Sequence, residues 1–342
     1  MSDRVILSVD AMGGDFGPRI TLPASLSALR RYPFLTIHLI GDKPELERRL
    51  KKQRLPLSVV SRLVLVHAPD AVPMDEKPSL AIRNRQQSSM AMAVRLVSEG
   101  EVDACVSAGN TGALMAFGRL VLKMQPGIDR PAIITSVPTQ SGHCYMLDLG
   151  ANVDCTPENL LQFAIMGSVM AETVDGIARP TVGLLNVGEE SIKGSELVRM
   201  ANELILQQEG LNYIGYIEGS DVFSGKADVV VCDGFVGNIA LKSCEGLTRL
   251  ITKKVRHSFT KNMYRRFLAM LAQPVLREIQ AQMDPSKRNG ATMLGLQGIV
   301  MKSHGGADRK GFGYALDQAI SEVRQNVPQK VSDRLASFVN TH

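Results

Sequence analysis

The 342-residue chain has no tryptophan, only 5% aromatic residues, and no apolar run long enough to cross a bilayer. A spanning helix needs ~18 or more uncharged apolar residues. The most apolar stretches, Ala132 to Val137 and Val229 to Cys232, are strand-sized. Met1-Ser2-Asp3-Arg4 runs straight into a strand-like segment and leaves no room for the apolar stretch of a signal peptide, so a cytoplasmic protein is expected. Scarce aromatics argue against a stacking platform for single-stranded nucleic acid. The five cysteines (105, 144, 155, 232 and 244) form no CxxC pair and have no histidine at ligand spacing. An odd, scattered set reads as buried thiols in a reducing compartment rather than a disulfide frame or a zinc site, and no metal is expected.

Motifs are missing too. No GxxxxGK followed by Ser or Thr is present, which argues against ATP or GTP on a P-loop. No GxGxxG follows the first strand-like segment, so a dinucleotide fingerprint is absent. There is no GxSxG elbow, and Ser141-Gly142-His143 has no assignable partner for nucleophilic catalysis.

What is present is a folding-competent composition, 44% apolar and 21% charged, with ample length to build a buried core. Short apolar segments each run into a cluster of small and polar residues. Val5 to Val9 leads into Asp10-Ala-Met-Gly-Gly-Asp15, and Asp103 to Val106 into Ser107-Ala-Gly-Asn-Thr-Gly112. Tyr145 to Leu147 leads into Asp148-Leu-Gly-Ala-Asn152, Thr181 to Leu185 into Asn186-Val-Gly-Glu-Glu190, and Asp228 to Cys232 into Asp233-Gly-Phe-Val-Gly-Asn238. Helix-like runs follow, such as Leu160 to Glu172, Ser195 to Gln208 and Ile239 to Leu250. Near-continuous apolar strands alternating with helices describe a parallel sheet covered on both faces. Ligands in such sheets bind beyond the carboxyl ends of the strands, so the clusters are expected to gather into one pocket. Glycines let an anion reach backbone N–H groups, and a helix start adds partial positive charge, so the expected ligand carries a phosphate or another oxyanion. His38 and His67 lie on apolar strands and read as core residues.

From Arg249 to Arg277 the chain holds eight Lys or Arg (Arg249, Lys253, Lys254, Arg256, Lys261, Arg265, Arg266 and Arg277) and no acidic residue. Removing those eight from the net charge of +5 leaves −3, so this stretch alone makes the protein basic. Helical spacing sets Phe267, Leu268, Leu271 and Val275 along one side, with a break at Pro274. A cationic amphipathic pair of helices fits an anionic lipid surface or an acidic protein partner. No recognition motif accompanies the charge, so nucleic acid is not an expected partner.

The clusters, in this order and spacing, resemble the PlsX family of phosphate acyltransferases over almost the whole chain. The likeness rests on Val9-Asp-Ala-Met-Gly-Gly-Asp15, Val106-Ser-Ala-Gly-Asn-Thr-Gly-Ala113, Asp233-Gly-Phe-Val-Gly-Asn238 and His304-Gly-Gly-Ala-Asp308. The resemblance implies a reaction of acyl-acyl-carrier-protein with inorganic phosphate, giving acyl phosphate without a cofactor, the first step toward phosphatidic acid. Acyl-coenzyme A is an alternative donor, and the product passes to a membrane glycerol-3-phosphate acyltransferase. It implies a three-layer α/β/α sandwich with a largely parallel sheet, like phosphotransacetylases and isopropylmalate dehydrogenases, and a homodimer. One catalytic domain over 1–342 is expected, with a basic helical hairpin over 245–290.

On that reading Lys193 supplies the cation, Asn152 and Asn238 donate to an oxyanion, and His304 protonates the departing thiolate. Asn110 and Thr111, with Ser107, Gly109 and Gly112, present donors to phosphate. Gly13, Gly14 and Asn186 line the site; Asp10, Asp15, Asp148 and Asp233 orient donors or meet the pantetheine arm, and Arg83, with Arg85 beside it, contacts the pantetheine arm or phosphate. Lys253, Lys254, Arg256, Lys261, Arg265, Arg266, Phe267, Leu268 and Leu271 contact membrane or carrier protein, giving peripheral attachment. Two rivals stand beside it: a metal- and NAD-dependent decarboxylating dehydrogenase on a related fold, and a non-enzymatic lipid- or carrier-protein-binding regulator.

Overall fold

A computed structural model describes residues 4–276 and 289–339. The first half of the chain forms β1 (Val5–Asp10), α1 (Pro18–Arg31), β2 (Leu35–Gly41), α2 (Lys43–Leu50), α3 (Leu57–Val60) and β3 (Leu63–His67). Next come α4 (Pro78–Asn84), α5 (Ser89–Ser98), β4 (Ala104–Ser107), α6 (Thr111–Phe117), a π-helical turn (Gly118–Leu122), β5 (Ala132–Thr139) and β6 (Gly142–Leu147). Then follow α7 (Pro157–Asp175), β7 (Thr181–Leu185), α8 (Glu196–Leu206), β8 (Asn212–Ile217), β9 (Val229–Val231), α9 (Gly234–Thr260) and α10 (Met263–Leu271). The chain closes with β10 (Gly290–Leu294), β11 (Ile299–Ser303), α11 (Arg309–Gln325) and α12 (Val327–Val339).

One sheet of eleven strands, in the order β3-β2-β1-β4-β11-β10-β5-β6-β9-β7-β8, runs through the molecule. Pairing is parallel except where β10 meets β11 and β5, and where β5 meets β6. Helices cover both faces, giving the expected three-layer α/β/α sandwich. The period of two along the strands sorts the side chains: Tyr145, Leu147, Val229 and Val231 pack with α7, while Cys144, Met146 and Val230 pack with Ala240 and Leu241 of α9 on the other face. In the first half Leu7, Val9 and Val106 face α1 and α11, whereas Cys105 and Ile40 face α5 and α6.

Side-chain caps explain many of the Asn, Asp and Ser residues that follow strands. Asn110 caps α6, Ser195 caps α8, Asp233 caps α9 and Asp308 caps α11, each accepting from a backbone N–H three residues on. Thr156 and Asn159 form a reciprocal capping box at α7. His67 corrects its sequence reading: it is exposed and accepts from the Lys43 N–H at 3.4 Å at the start of α2, and His38 is only half-buried.

A polar cluster lies deep behind β10. Glu322 of α11 is fully buried; its Oε1 accepts from Thr292 Oγ1 at 2.5 Å and from Gln318 Nε2 at 3.1 Å. Its Oε2 and the Gln125 Oε1 have no hydrogen-bond partner among the described residues. Both residues line one cavity of about 10 Å³, room for about one water.

Candidate active site

Strand direction decides which loops can meet. β1, β4 and β11 run one way, and the antiparallel pairings at β10, β5 and β6 turn β6, β9, β7 and β8 the other way. The expected single pocket is therefore corrected: the clusters form two groups at opposite edges of the sheet. Asp10 and Ser107 end β1 and β4, and His304 follows β11, all at the first edge. Asp148, Asn186 and Asp233 follow strands that end at the second.

At the first edge Asp10, 1% exposed, is the hub. Its Oδ1 accepts from Ser89 Oγ at 2.6 Å, Gly13 N–H at 3.1 Å and Met12 N–H at 3.2 Å, and its Oδ2 accepts from Ser107 Oγ at 2.6 Å. Burial raises its carboxyl above the ordinary range, and those hydrogen bonds oppose the rise. Ser107 Oγ also accepts from the Gly109 N–H at 3.0 Å, so one buried network ties the loops after β1 and β4 together. A Cβ on Gly13 would stand 2.5 Å from Asp10 Oδ2 and 2.7 Å from the Gly109 nitrogen, so the close approach requires glycine. The loop after β11 joins them through the Asp15 N–H, which donates to the Gly305 carbonyl at 2.9 Å.

Two charged or polar side chains of β11 and its loop complete this edge. Lys302 is 8% exposed, and its Nζ donates to the carbonyls of Ala108, at 3.3 Å, and Ser303. Burial, with Lys242 adding repulsion, pulls its ammonium down to about 8, against the pull of Asp10 and Asp15. His304 Nδ1 accepts from the Gly306 N–H at 3.0 Å. Burial and then Lys242 lower its pKa, so the ring is neutral at pH 7 and its proton sits on Nε2, as inferred from that hydrogen bond. Lys242 comes from α9, where it pairs with Glu245 at 3.1 Å. It lies nine residues beyond the Asp233 cap, about 13 Å along the axis, so α9 links the two edges.

At the second edge the polar groups chiefly hold their own loops. Asp148 is fully buried: its Oδ1 accepts from the Ile133 and Ala151 N–H groups at 2.9 and 3.0 Å, and its Oδ2 from the Asn152 N–H and Nδ2 at 2.7 and 2.9 Å. Burial raises its pKa. Asn186 Nδ2 donates to the carbonyls of Gly188 and Lys193 at 3.1 and 3.2 Å. Lys193 is half-exposed and pairs with Glu190 at 2.8 Å, which raises the lysine and lowers the glutamate. Asn238 is exposed on the first turns of α9, its Cβ 3.4 Å from where a Cβ on Gly150 would lie.

Two expected donors are corrected by this geometry. Asn152 Nδ2 donates to the Pro131 carbonyl at 2.7 Å as well as to Asp148, leaving it no proton for an oxyanion. Asn110 Nδ2 donates to the carbonyls of Met74 and Glu76 at 2.8 and 2.9 Å while its oxygen caps α6, so it pins the loop before α4. Thr111 and Gly112 open α6 beside it. Arg83 is exposed on α4, and neighbouring Arg85 is held at 3.0 Å by both Asp70 and Glu76. Sequence reasoning missed Lys302, Lys242 and Ser89. The signal for Lys302 was a lone lysine in the apolar run Ile299-Val-Met-Lys-Ser303.

Beyond the sheet, α9 and α10 form the basic hairpin. Lys253, Lys254, Arg256, Lys261, Arg265 and Arg266 are exposed, and so are Phe267, Leu268 and Leu271. Asn262 caps α10, which ends at Leu271, ahead of Pro274. Arg277 and residues 277–288 of the expected hairpin lie outside the described residues. Among the described residues no helix is long and apolar enough to cross a membrane.

A family model described as "Fatty acid synthesis protein" matches residues 5–330. The phosphate acyltransferase of Alkalilimnicola ehrlichii is 52% identical over 339 residues, 99% of this chain and 98% of that protein. That of Ectopseudomonas mendocina is 53% identical over 336 residues, 98% of each. Among solved structures, a phosphotransacetylase from Streptococcus pyogenes superposes with a TM-score of 0.64 at 16% identity, covering 95% of each chain, a likeness of fold alone.

Proposed function

The chain belongs to the phosphate acyltransferase family of fatty acid synthesis proteins, and from that premise we propose where and how it acts. It is an acyltransferase that moves an acyl group from a carrier onto inorganic phosphate; the dehydrogenase and regulator readings give way to that membership. In our reading the reaction occurs at the first edge, the donor is acyl-acyl-carrier protein, and the product goes to a membrane glycerol-3-phosphate acyltransferase.

The observation that carries this reading is the meeting of three strand-end loops, through Asp10, Ser107 and Gly305, around His304. A hydrogenphosphate oxygen attacks the thioester carbonyl, forming a C–O bond and a tetrahedral oxyanion. Collapse re-forms the carbonyl and breaks the C–S bond, and the proton of hydrogenphosphate ends on the sulfur. A neutral His304 is a poor acid for that sulfur, because losing Nε2–H would leave an imidazolate. It is suited instead to donate Nε2–H to the oxyanion, as an oriented dipole in a partly desolvated site. Phosphate is already anionic at pH 7 and needs positioning more than deprotonation. Incubating the protein with acyl-carrier protein and labelled phosphate, without nucleotide, is expected to yield labelled acyl phosphate; free fatty acid alone would defeat the reading.

The chain acts as a homodimer in this reading. Lys193 and Asn238 have side chains open to solvent, and a two-fold assembly can set the second edge of one chain against the first edge of its partner. The exposed cations and apolar residues of α10 support adsorption to anionic lipid, with salt weakening it. Reversing Lys253, Lys254, Arg265 and Arg266 to glutamate is expected to abolish co-sedimentation with anionic vesicles while sparing turnover of acyl-coenzyme A. Full sedimentation of that variant would remove the lipid role.

A further inference from the structure

An ammonium group taken out of water needs compensation, and buried lysines ordinarily find a carboxylate. Lys302 has none within ion-pair distance among the described residues; its two hydrogen bonds go to the main-chain carbonyls of Ala108 and Ser303. An ammonium has three donors, so one remains. The side chain stands at the end of β11, between β4 and β10, where the loops after β1, β4 and β11 meet. Small residues let these loops pack closely beside the Ala108 carbonyl that Lys302 meets: a Cβ on Gly14 would lie 2.9 Å from the Gly305 carbonyl oxygen and 3.0 Å from the Ala108 Cβ. A second cation, Lys242 of α9, is near enough for the like charges to repel. Lys242 keeps its own partner in Glu245, whereas among the described residues Lys302 has main-chain carbonyls alone. A buried ammonium with a donor to spare beside a second cation marks a position for a multiply charged anion.

We infer that Lys302 binds the inorganic phosphate of the reaction, a phosphate oxygen accepting the third N–H of its ammonium, with Lys242 as the outer cation. The assignment rests on placing the reaction at the first edge. A point charge on a flexible stem suits a nucleophile that must be held yet left free to turn toward the carbonyl. The low value of about 8 fits as well: phosphate arriving beside the group would restore its ammonium form. Asp10, Asp15 and Lys242 are the charged groups that act on it, and Lys242 alone opposes its charge.

Lys302→Met keeps the length of the side chain and removes the charge. It is expected to raise the KM for phosphate by about 30-fold or more while the KM for the acyl donor stays within twofold. A residue that merely latched the two loops would damage both constants together, and that result would overturn the assignment. A second measurement needs no variant. Calorimetric titration of inorganic phosphate into the wild-type protein is expected to show the Kd rising about tenfold per pH unit above pH 8, where phosphate itself no longer changes charge. A Kd flat from pH 8 to 9.5 would also overturn it. Wild-type turnover with an unchanged phosphate KM in Lys302→Met would defeat this assignment alone; absence of wild-type acyl phosphate would defeat the wider reading.

Discussion

His304→Ala is expected to lower kcat for acyl phosphate formation by about 10²–10³-fold, the size of effect seen when one oriented donor to an oxyanion is lost. Donor KM should change little, because the bond to Nε2–H strengthens only as charge develops on the carbonyl oxygen. The pH profile separates this role from proton donation. Burial and Lys242 hold the imidazole below its ordinary 6.5, so a neutral donor persists from pH 8 to 7 and kcat at saturating phosphate should stay level there. A general acid would gain activity on acidification, and a rising profile would return His304 to that role. The same variant tests the dimer. Mixed and re-equilibrated with Lys193→Ala, it is expected to recover up to about a quarter of wild-type activity, since half the dimers then hold one intact pair of edges. No recovery would confine each site to one chain.

A second large effect concerns stability. Burial lifts the Glu322 carboxyl from an ordinary 4.5 to about 7, and the bonds from Thr292 and Gln318 only partly oppose it. Among the described residues no charged side chain contributes to that shift. Between those values the folded protein keeps a proton that the unfolded chain has released, so folding stability falls as pH rises from about 4.5 to about 7 and then levels. At 1.36 kcal/mol per unit the loss is about 3 kcal/mol. Glu322→Gln keeps a donor at the cavity it shares with Gln125 and cannot ionise, so it should match the wild type near pH 5 and exceed it by about 3 kcal/mol at pH 8 in urea denaturation. Buried Asp10 and Asp148 are also raised and titrate in both proteins, so the difference between the two curves is the quantity to read. A difference independent of pH would show that Glu322 is ionised throughout.

Much of this architecture was legible because short apolar strands and capped helices announce themselves locally. Thr181 to Leu185 matches β7 residue for residue, and Ser195 stands where a cap was needed. The expected helix from Leu160 to Glu172 grows at its start because Thr156 and Asn159 cap each other's backbone around Pro157. The start of α9 at Gly234, five residues before the expected Ile239, was hidden by glycines that resemble a loop. Gly237 is there for space: a Cβ would fall 1.9 Å from the Asp148 carbonyl oxygen. Strand direction was not legible at all. A period of two looks the same whichever way a strand runs, so nothing local revealed that β10 and β6 reverse and send the second set of loops to the far edge. The roles of Asn110 and Asn152 failed for a related reason: an amide donates equally well to an anion or a neighbouring carbonyl, and only the fold shows which is near.

The length of α9 has a mechanical consequence. Twenty-seven residues make a rod about 40 Å long, stiff on the scale of its own hydrogen bonds. Its root stands against Gly150, its ninth residue, Lys242, acts on the lysine and histidine of β11 and its loop, and its outer turns meet α10. Gripping that far end would work like a lever whose fulcrum is the sheet: a small tilt outside displaces Lys242 and Asn238 together, so docking at the tip is able to change the electrostatic field at both edges at once.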